Sequence, residues 1–366
     1  MKQLVDTSNK IAELEGLRAL LVLGVIVYHV FSITGVTIPR LLNWSEAVSV
    51  FFILSGFVIA MILHHSKESY RSFIIRRFFR LFPAYAVCVL VGGFLTVNGL
   101  MPKTYEDHSL GWHVLLHATM LHGVLPVNLL PGAESAFLNP AWLITVEWQF
   151  YLLIPAFFIL LRNKPVIAWL LLFTVVAVSR RILMPALNLG GGSLFDHLQY
   201  FLYGIISYFM YQWALRNSEK IKLFALLLPY AAPVLLASLV SVIPNIGLFI
   251  WGFFFGATVS IRTGHALMPT KILIKFLRSK PLTWLGSFSF ALYLAHEPVL
   301  WLSIHVVKSI FPHIAVMDTA LLVGWITIPV SIAAGHFLHV GVEIPCIRIG
   351  KKLAIKHVSR LDVVQT

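Results

Sequence analysis

Apolar runs long enough to cross a bilayer recur along nearly the whole of this 366-residue chain. One helical crossing needs a run of about 20 apolar residues, so the pattern leaves little room for any fold but a bundle of membrane helices. Composition agrees: 58% of the residues are hydrophobic and 12% charged, with a mean hydropathy of +0.85, which excludes an ordinary soluble globule. The expectation is an all-α polytopic membrane protein. Ten spans are expected at approximately 14–34, 47–65, 73–99, 140–161, 165–184, 194–215, 222–242, 244–262, 281–307 and 317–340. The Pro244-Asn245 break either joins two spans or marks a broken helix, and losing one span there would invert everything after it.

Charge sets the orientation. A formal net charge of +13 would suggest a nucleic-acid partner in a soluble protein. Here the cations lie in short segments between apolar runs, and neither an aromatic-interleaved basic surface nor a nucleic-acid motif accompanies them. With the N-terminus in the cytoplasm, every lysine and arginine except Arg40, Lys103, Arg180, Arg181 and Lys308 falls on the cytoplasmic side. Both termini are therefore expected inside, with 1–345 as a single transmembrane domain and 346–366 as a basic cytoplasmic tail. The first run carries Arg18 and His29 and lacks a clear small-residue cleavage site, so it reads as a mature helix and not a signal peptide. Cys88 and Cys346 suggest neither a disulfide nor a metal site.

Polar groups inside the spans are the candidates for chemistry. Arg18 and His29 fall on nearly the same helical face, roughly 16 Å apart along the axis. Ionisable groups at membrane depth are costly, so the default is a protein-lined site. The alternative is a packing histidine bonded to a neighbouring carbonyl, with Arg18 snorkelling to the headgroups. In the second span Gly56 permits close backbone approach and Ser55 can bond across helices; packing is the plainer reading of that pair.

The densest basic run, RSFIIRRFFRLFPAY, puts Arg77 and Arg80 on one face, with Arg76 a turn before Arg80. Arg71 and Arg76 suffice for anchoring. Arg80 lies where the apolar span has begun, which suits a fork holding a phosphate-bearing ligand.

Asn139-Pro140 reads as an N-cap followed by an N1 proline, starting a helix with Glu147 well inside it and Tyr151 one turn on. An unpaired carboxylate there needs a partner, and a structural Glu–Arg or Glu–Tyr pair is the competing account. Ser289, Tyr293 and His296 form one helical stripe that lines either an interface or a cavity, and Pro298 would kink that helix. In the longest loop, 101–139, the spacing of His113, His117 and His122 could ligate zinc. No HExxH glutamate or thiol accompanies it, so a half-buried interfacial helix is expected there and no metal.

Several of these segments, taken in order, resemble the membrane-bound acyltransferase-3 family of sugar O-acyltransferases. They are LEGLR with the Arg18–His29 pair, FFILSGF at 51–57, RRFFRLFP at 76–83, TVEWQFYLLIP at 145–155, LGSFSFALYLAHEP at 285–298 and VEIP at 342–345. The resemblance covers most of the chain. It implies a roughly ten-helix enzyme moving an acyl group, usually acetyl, from acyl-CoA to a carbohydrate hydroxyl. It also implies functional positions at His29, Arg18, Arg77 and Arg80. Some members carry a C-terminal extracytoplasmic esterase-like domain; a single-module form is expected here. Glu15 stands where aspartate is common, and Trp148 where a second acidic residue often follows the glutamate, which puts a two-carboxylate role in doubt.

The expected site follows. Arg76, Arg77 and Arg80 hold the phosphates of acyl-CoA at the cytoplasmic face, and His29 takes the proton of the attacking hydroxyl. Glu147 or Tyr151 orients the imidazole or the acceptor, and Arg18 positions the thioester end of CoA or stabilises developing charge. Glu15, Ser55, Tyr151, Ser289, Tyr293 and His296 line the cavity. Acetyl-CoA is a co-substrate and no bound cofactor is expected; the setting is the lipid bilayer of a bacterial inner membrane. A secondary transporter or flippase for a glycan or small anionic solute is the competing class, since buried Arg, His and Glu also build proton relays. Against it stand the lack of a repeat between the halves and a basic fork at one face.

Overall fold

The computed structural model describes residues 11–38, 44–65, 68–220, 222–223, 226–229, 231 and 246–364. Among them the regular structure is helical, with a single isolated bridge between Pro126 and Leu189. The α-helices are α1 (Ala12–Ile33), α2 (Val48–His65), α3 (Tyr70–Val97), α4 (Leu110–Ala118), α5 (Ala141–Asn163), α6 (Pro165–Val178) and α7 (Met184–Leu187). They continue with α8 (Leu194–Arg216), α9 (Ile246–Arg262), α10 (Met268–Leu277), α11 (Lys280–Ser287), α12 (Ser289–Ile310), α13 (Val316–Leu338) and α14 (Ile344–Val364).

Six helical stretches among the described residues are long and apolar enough to cross a membrane, against the ten spans expected. They are α1, α3, α5, Pro165–Leu187, α12 and Val316–Ile355; Val48–His64 and Ile246–Arg262 are apolar but shorter. Leu194–Arg216 has the length, but Asp196, His197, Gln199 and several tyrosines dilute its apolar character. The expected span 281–307 is two helices meeting at Phe288, whose backbone (φ −119°, ψ 21°) leaves the helical region, while α12 runs on through Pro298. The expected span 222–242 and the Pro244-Asn245 break fall largely outside the described residues.

Close backbone contacts lock the bundle. A Cβ on Gly56 of α2 would stand 2.3 Å from the Phe201 carbonyl oxygen, and one on Gly204 of α8 would stand 2.0 Å from that of Ile53. Each helix thus lays its own backbone on the other's glycine, the close approach that FFILSGF leads one to expect. Likewise a Cβ on Gly286 of α11 would meet the Glu15 carbonyl oxygen at 1.9 Å, which pins the start of α1 beside α11.

Residues 339–354 lie against the bundle. A π-helical turn, His339–Glu343, leads into α14, which lies along α3 with Gly350 against Phe79. The Ser72 hydroxyl donates to the Ala354 carbonyl at 3.3 Å. At the start of α5, Asn139 does not cap through its side chain; its backbone N–H donates to Oε2 of Glu297 on α12 at 2.7 Å. A buried carboxylate is the stronger acceptor, and it takes that N–H as its own partner.

Candidate active site

His29 lies in the last third of α1, half-buried, with His296 of α12 beside it and fully buried. Nδ1 of His29 is 2.8 Å from Nε2 of His296, and the two rings lie nearly parallel with centroids 5.1 Å apart. Nδ1 of His296 is 2.5 Å from the carbonyl oxygen of Tyr293. A carbonyl only accepts, so that nitrogen of His296 carries its proton and Nε2 carries the lone pair. The lone pair in turn requires the proton of His29 to sit on Nδ1. Nε2 of His29 is then the basic nitrogen, held in one tautomer by a chain that ends on the backbone.

The stripe Ser289, Tyr293 and His296 is thus only partly what its spacing suggests. All three are buried, but Tyr293 engages His296 through its carbonyl oxygen. Ser289 sits at the start of α12, about two turns from His296.

A second cluster forms where α2, α3 and α5 meet. Oε1 of Glu147 accepts from the Ser55 hydroxyl at 2.9 Å and from the Tyr151 hydroxyl in a short bond. The guanidinium of Arg77 lies over the rings of Phe73 and Tyr151, 5.1 and 5.5 Å from their centroids. Arg77 is 7% exposed, and its Nε has no hydrogen-bond partner among the described residues. Arg80, one turn on, lies within electrostatic reach of Tyr151, Glu147, Glu343 and Glu15. Glu147 therefore has the tyrosine partner of the competing account, and it also faces the two arginines. The side chain against Nδ1 of His29 is His296, while Glu147 and Tyr151 face each other and Ser55. A buried guanidinium with an unpartnered donor, as in Arg77, beside a carboxylate can receive an anionic group without new charge having to be buried unpaired.

Nη1 of Arg18 is 3.5 Å from Oε1 of Glu15, one turn apart on α1. Arg76 points elsewhere and is paired with Glu68.

Three further groups escaped the sequence reading. Glu13, two residues before Glu15, is completely buried and clamped by Arg278 through Nε at 2.8 Å and Nη2 at 3.0 Å. Arg262 adds a contact at 3.2 Å. Glu343, on the π-helical turn, accepts from Nδ1 of His339 at 2.7 Å and completes the carboxylates around Arg80. Glu297 carries the start of α5, as described above. Arg262 and Arg278 had looked like ordinary anchoring cations, and nothing in the local pattern of either points to Glu13. For Glu343 the VEIP segment was the available signal.

The histidines of the 101–139 segment form a separate packed cluster. His113 and His117 share the buried face of α4, and the His117 ring stacks on His122 with centroids 4.1 Å apart. Nδ1 of His117 meets the His113 carbonyl at 2.9 Å, and Nε2 of His122 meets that of Ala141 at 3.1 Å. Burial pushes His117 down to about 4 and also lowers His113 and His122. Among the described residues no group of His, Cys, Asp or Glu is arranged to hold a metal ion.

Comparison with known proteins gives one family and several relatives. Residues 11–336 match the acyltransferase domain of the acyltransferase-3 family. The chain is 27% identical over 335 residues to the acyltransferase MdmB of Streptomyces mycarofaciens, covering 83% of this chain and 81% of that protein. It is 28% identical over 350 residues to the peptidoglycan O-acetyltransferase OatA of Listeria monocytogenes, covering 86% of this chain and 53% of that protein. With the O-acetyltransferase OatA of Staphylococcus aureus it shares 26% over 310 residues, 78% of this chain and 50% of that protein. The chain thus spans about half the length of these two O-acetyltransferases. No solved structure matches it.

Proposed function

We propose, from the premise that this chain belongs to the acyltransferase-3 family, that it is a membrane O-acetyltransferase moving acetyl from acetyl-CoA to a carbohydrate hydroxyl. The observation that carries this reading is the His29–His296–Tyr293 chain, which leaves one basic imidazole nitrogen on the first helix. Nε2 of His29 takes the proton of the acceptor hydroxyl as its oxygen attacks the thioester carbonyl. The C–S bond then breaks and the proton passes from His29 to the leaving CoA sulfur. The products are the O-acetyl ester and CoA thiol, and the imidazole is again neutral. His296 can accept from the imidazolium through the same Nε2, so the pair keeps its geometry throughout the cycle.

In this reading Arg77 and Arg80 hold the phosphates of CoA, with Glu147 and Tyr151 positioning the two guanidiniums. The helical rise keeps Arg18 roughly 16 Å from His29, too far to meet an oxyanion there, so Arg18 serves the CoA arm. The bundle has its N-terminus and C-terminus in the cytoplasm, the donor enters from that side, and the membrane is a bacterial inner membrane. A cell-surface polysaccharide is the acceptor; the relative named a peptidoglycan O-acetyltransferase supports that class.

The test is CoA thiol release from acetyl-CoA by purified protein in detergent, with and without surface glycan from the native host. It is paired with mass spectrometry of that glycan after deletion of the gene. Acetyl-dependent CoA release together with loss of an acetyl mass supports the reading. A glycan profile unchanged by the deletion and no CoA release would reject it.

A further inference from the structure

A cavity of about 210 Å³ lies between the starts of α2, α5 and α8. We propose that it is a subsite for one pyranose ring of the acceptor glycan; the word acceptor rests on the acyl-transfer reading above, whereas the sugar chemistry rests on the cavity itself.

Its wall is aromatic. The ring of His197 stands 4.8 Å from that of Phe52 and 5.2 Å from that of Trp142, and Tyr200 borders the same space. His197 is locked in place because its Nε2 meets the Gly191 carbonyl at 2.7 Å. Such a wall matches the C–H face of a pyranose, which is apolar while its edge bears hydroxyls.

The polar groups of the cavity match that edge. Asp196 makes a loose contact with Nε of Arg180 at 3.4 Å and stands 3.8 Å from His197, so its carboxylate keeps acceptor positions open. Glu46 accepts the backbone N–H of Ile246 through Oε2 at 3.0 Å. Two carboxylates against one guanidinium select neutral hydroxyl donors and disfavour phosphate, which separates this cavity from the arginine pair on α3. The volume is below the roughly 300 Å³ at which drug-sized ligand sites begin, the scale of a single ring.

Its position fits an acceptor. Phe52 lies one turn before Ser55, which donates to Glu147. Glu46 belongs to the short helix Trp44–Ala47, and the Trp44 ring lies where a Cβ on Gly24 of α1 would stand, 2.5 Å away. Gly24 is five residues before His29, so the cavity and the imidazole share the half of the bundle in which α1 ends. The arginine pair lies towards the end where α3 begins. Donor and acceptor would then approach from opposite ends.

The experiment is saturation-transfer NMR on the full chain in a non-glycosidic detergent. The probes are the methyl glycosides of glucose, galactose, mannose and N-acetylglucosamine. Acetyl-CoA-dependent CoA release by the wild type is measured in parallel. At least one glycoside should bind, with saturation strongest on its C–H face, and Trp142→Ala and Asp196→Asn should each weaken it about fivefold or more. Trp325→Ala, on an outward face, controls for handling, and the melting temperature of each variant establishes folding. CoA release without binding of any glycoside, or binding undiminished in the two folded variants, would overturn the subsite. No CoA release in the wild type would instead overturn the acyl-transfer reading, and with it the word acceptor.

Discussion

Nδ1 of His29 stands 2.8 Å from Nε2 of His296, a hydrogen bond between residues 267 positions apart in the chain. It decides which nitrogen of His29 is free to act. Because His296 is itself fixed by the Tyr293 carbonyl, the His29 ring is held in one tautomer by a chain of neutral hydrogen bonds with no carboxylate in it.

His29→Gln keeps a donor for His296 but removes the basic nitrogen, and general-base catalysis is worth about a hundredfold to ten-thousandfold. Turnover with acetyl-CoA and glycan should fall by at least the lower figure, with the KM for acetyl-CoA little changed. Near-normal turnover at normal expression would remove His29 from the chemistry.

On the acyl-transfer reading His296 acts through His29, as a positioning residue. His296→Leu leaves Nδ1–H of His29 without an acceptor, so kcat should drop about tenfold to a hundredfold. His296→Gln offers an amide oxygen in its place and should recover part of that loss. A merely structural role would show equal damage in both variants, and kinetics of the pair side by side makes the distinction.

Arg77→Ala and Arg80→Ala should each raise the KM for acetyl-CoA about tenfold or more while changing kcat less. Arg77→Lys should rescue little, since an ammonium cannot reproduce the planar fork stacked on Phe73 and Tyr151. An unchanged KM in both alanine variants would place CoA elsewhere.

The Glu13 clamp is structural. Arg278→Ala leaves a fully buried carboxylate with Arg262 as its remaining partner, a loss of about 2 kcal/mol given that Arg278 is itself partly exposed. Thermal unfolding in detergent should register it as a clear drop in Tm. Arg278→Lys should recover only part, because one ammonium cannot replace a two-point contact.

The histidine cluster makes stability depend on pH. His117 is held neutral by burial, at about 4, with His113, His122 and Tyr85 as the titratable groups around it. In the unfolded chain a histidine takes its proton near 6.5. The unfolded state therefore binds more protons between those values, so stability is full above about 6.5 and falls as pH drops towards 4, by roughly 3 kcal/mol for this residue. Melting curves across that range should show the loss, and His117→Leu should flatten it. A wild-type curve with no acid dependence would contradict the assignment.

Apolar run length, the recurrence of those runs and the polar residues inside them were legible from the chain alone. They determined a helical membrane bundle and singled out Arg18, His29 and Glu147, because burying a charge in hydrocarbon is costly enough for its mere presence to be informative, and Arg77 and Arg80, because they share a face where an apolar span begins. The local glycine of FFILSGF likewise announced the close contact that α2 makes with α8. Partnership was not legible. Tertiary structure alone decided that His29 answers to His296, that Glu147 bonds Ser55 and Tyr151, and that Glu13 holds Arg262 and Arg278. Helical periodicity says which face a residue occupies but not which helix lies opposite. Hydrogen bonds of about 3 Å exist only once that neighbour, its depth and its rotation are all set.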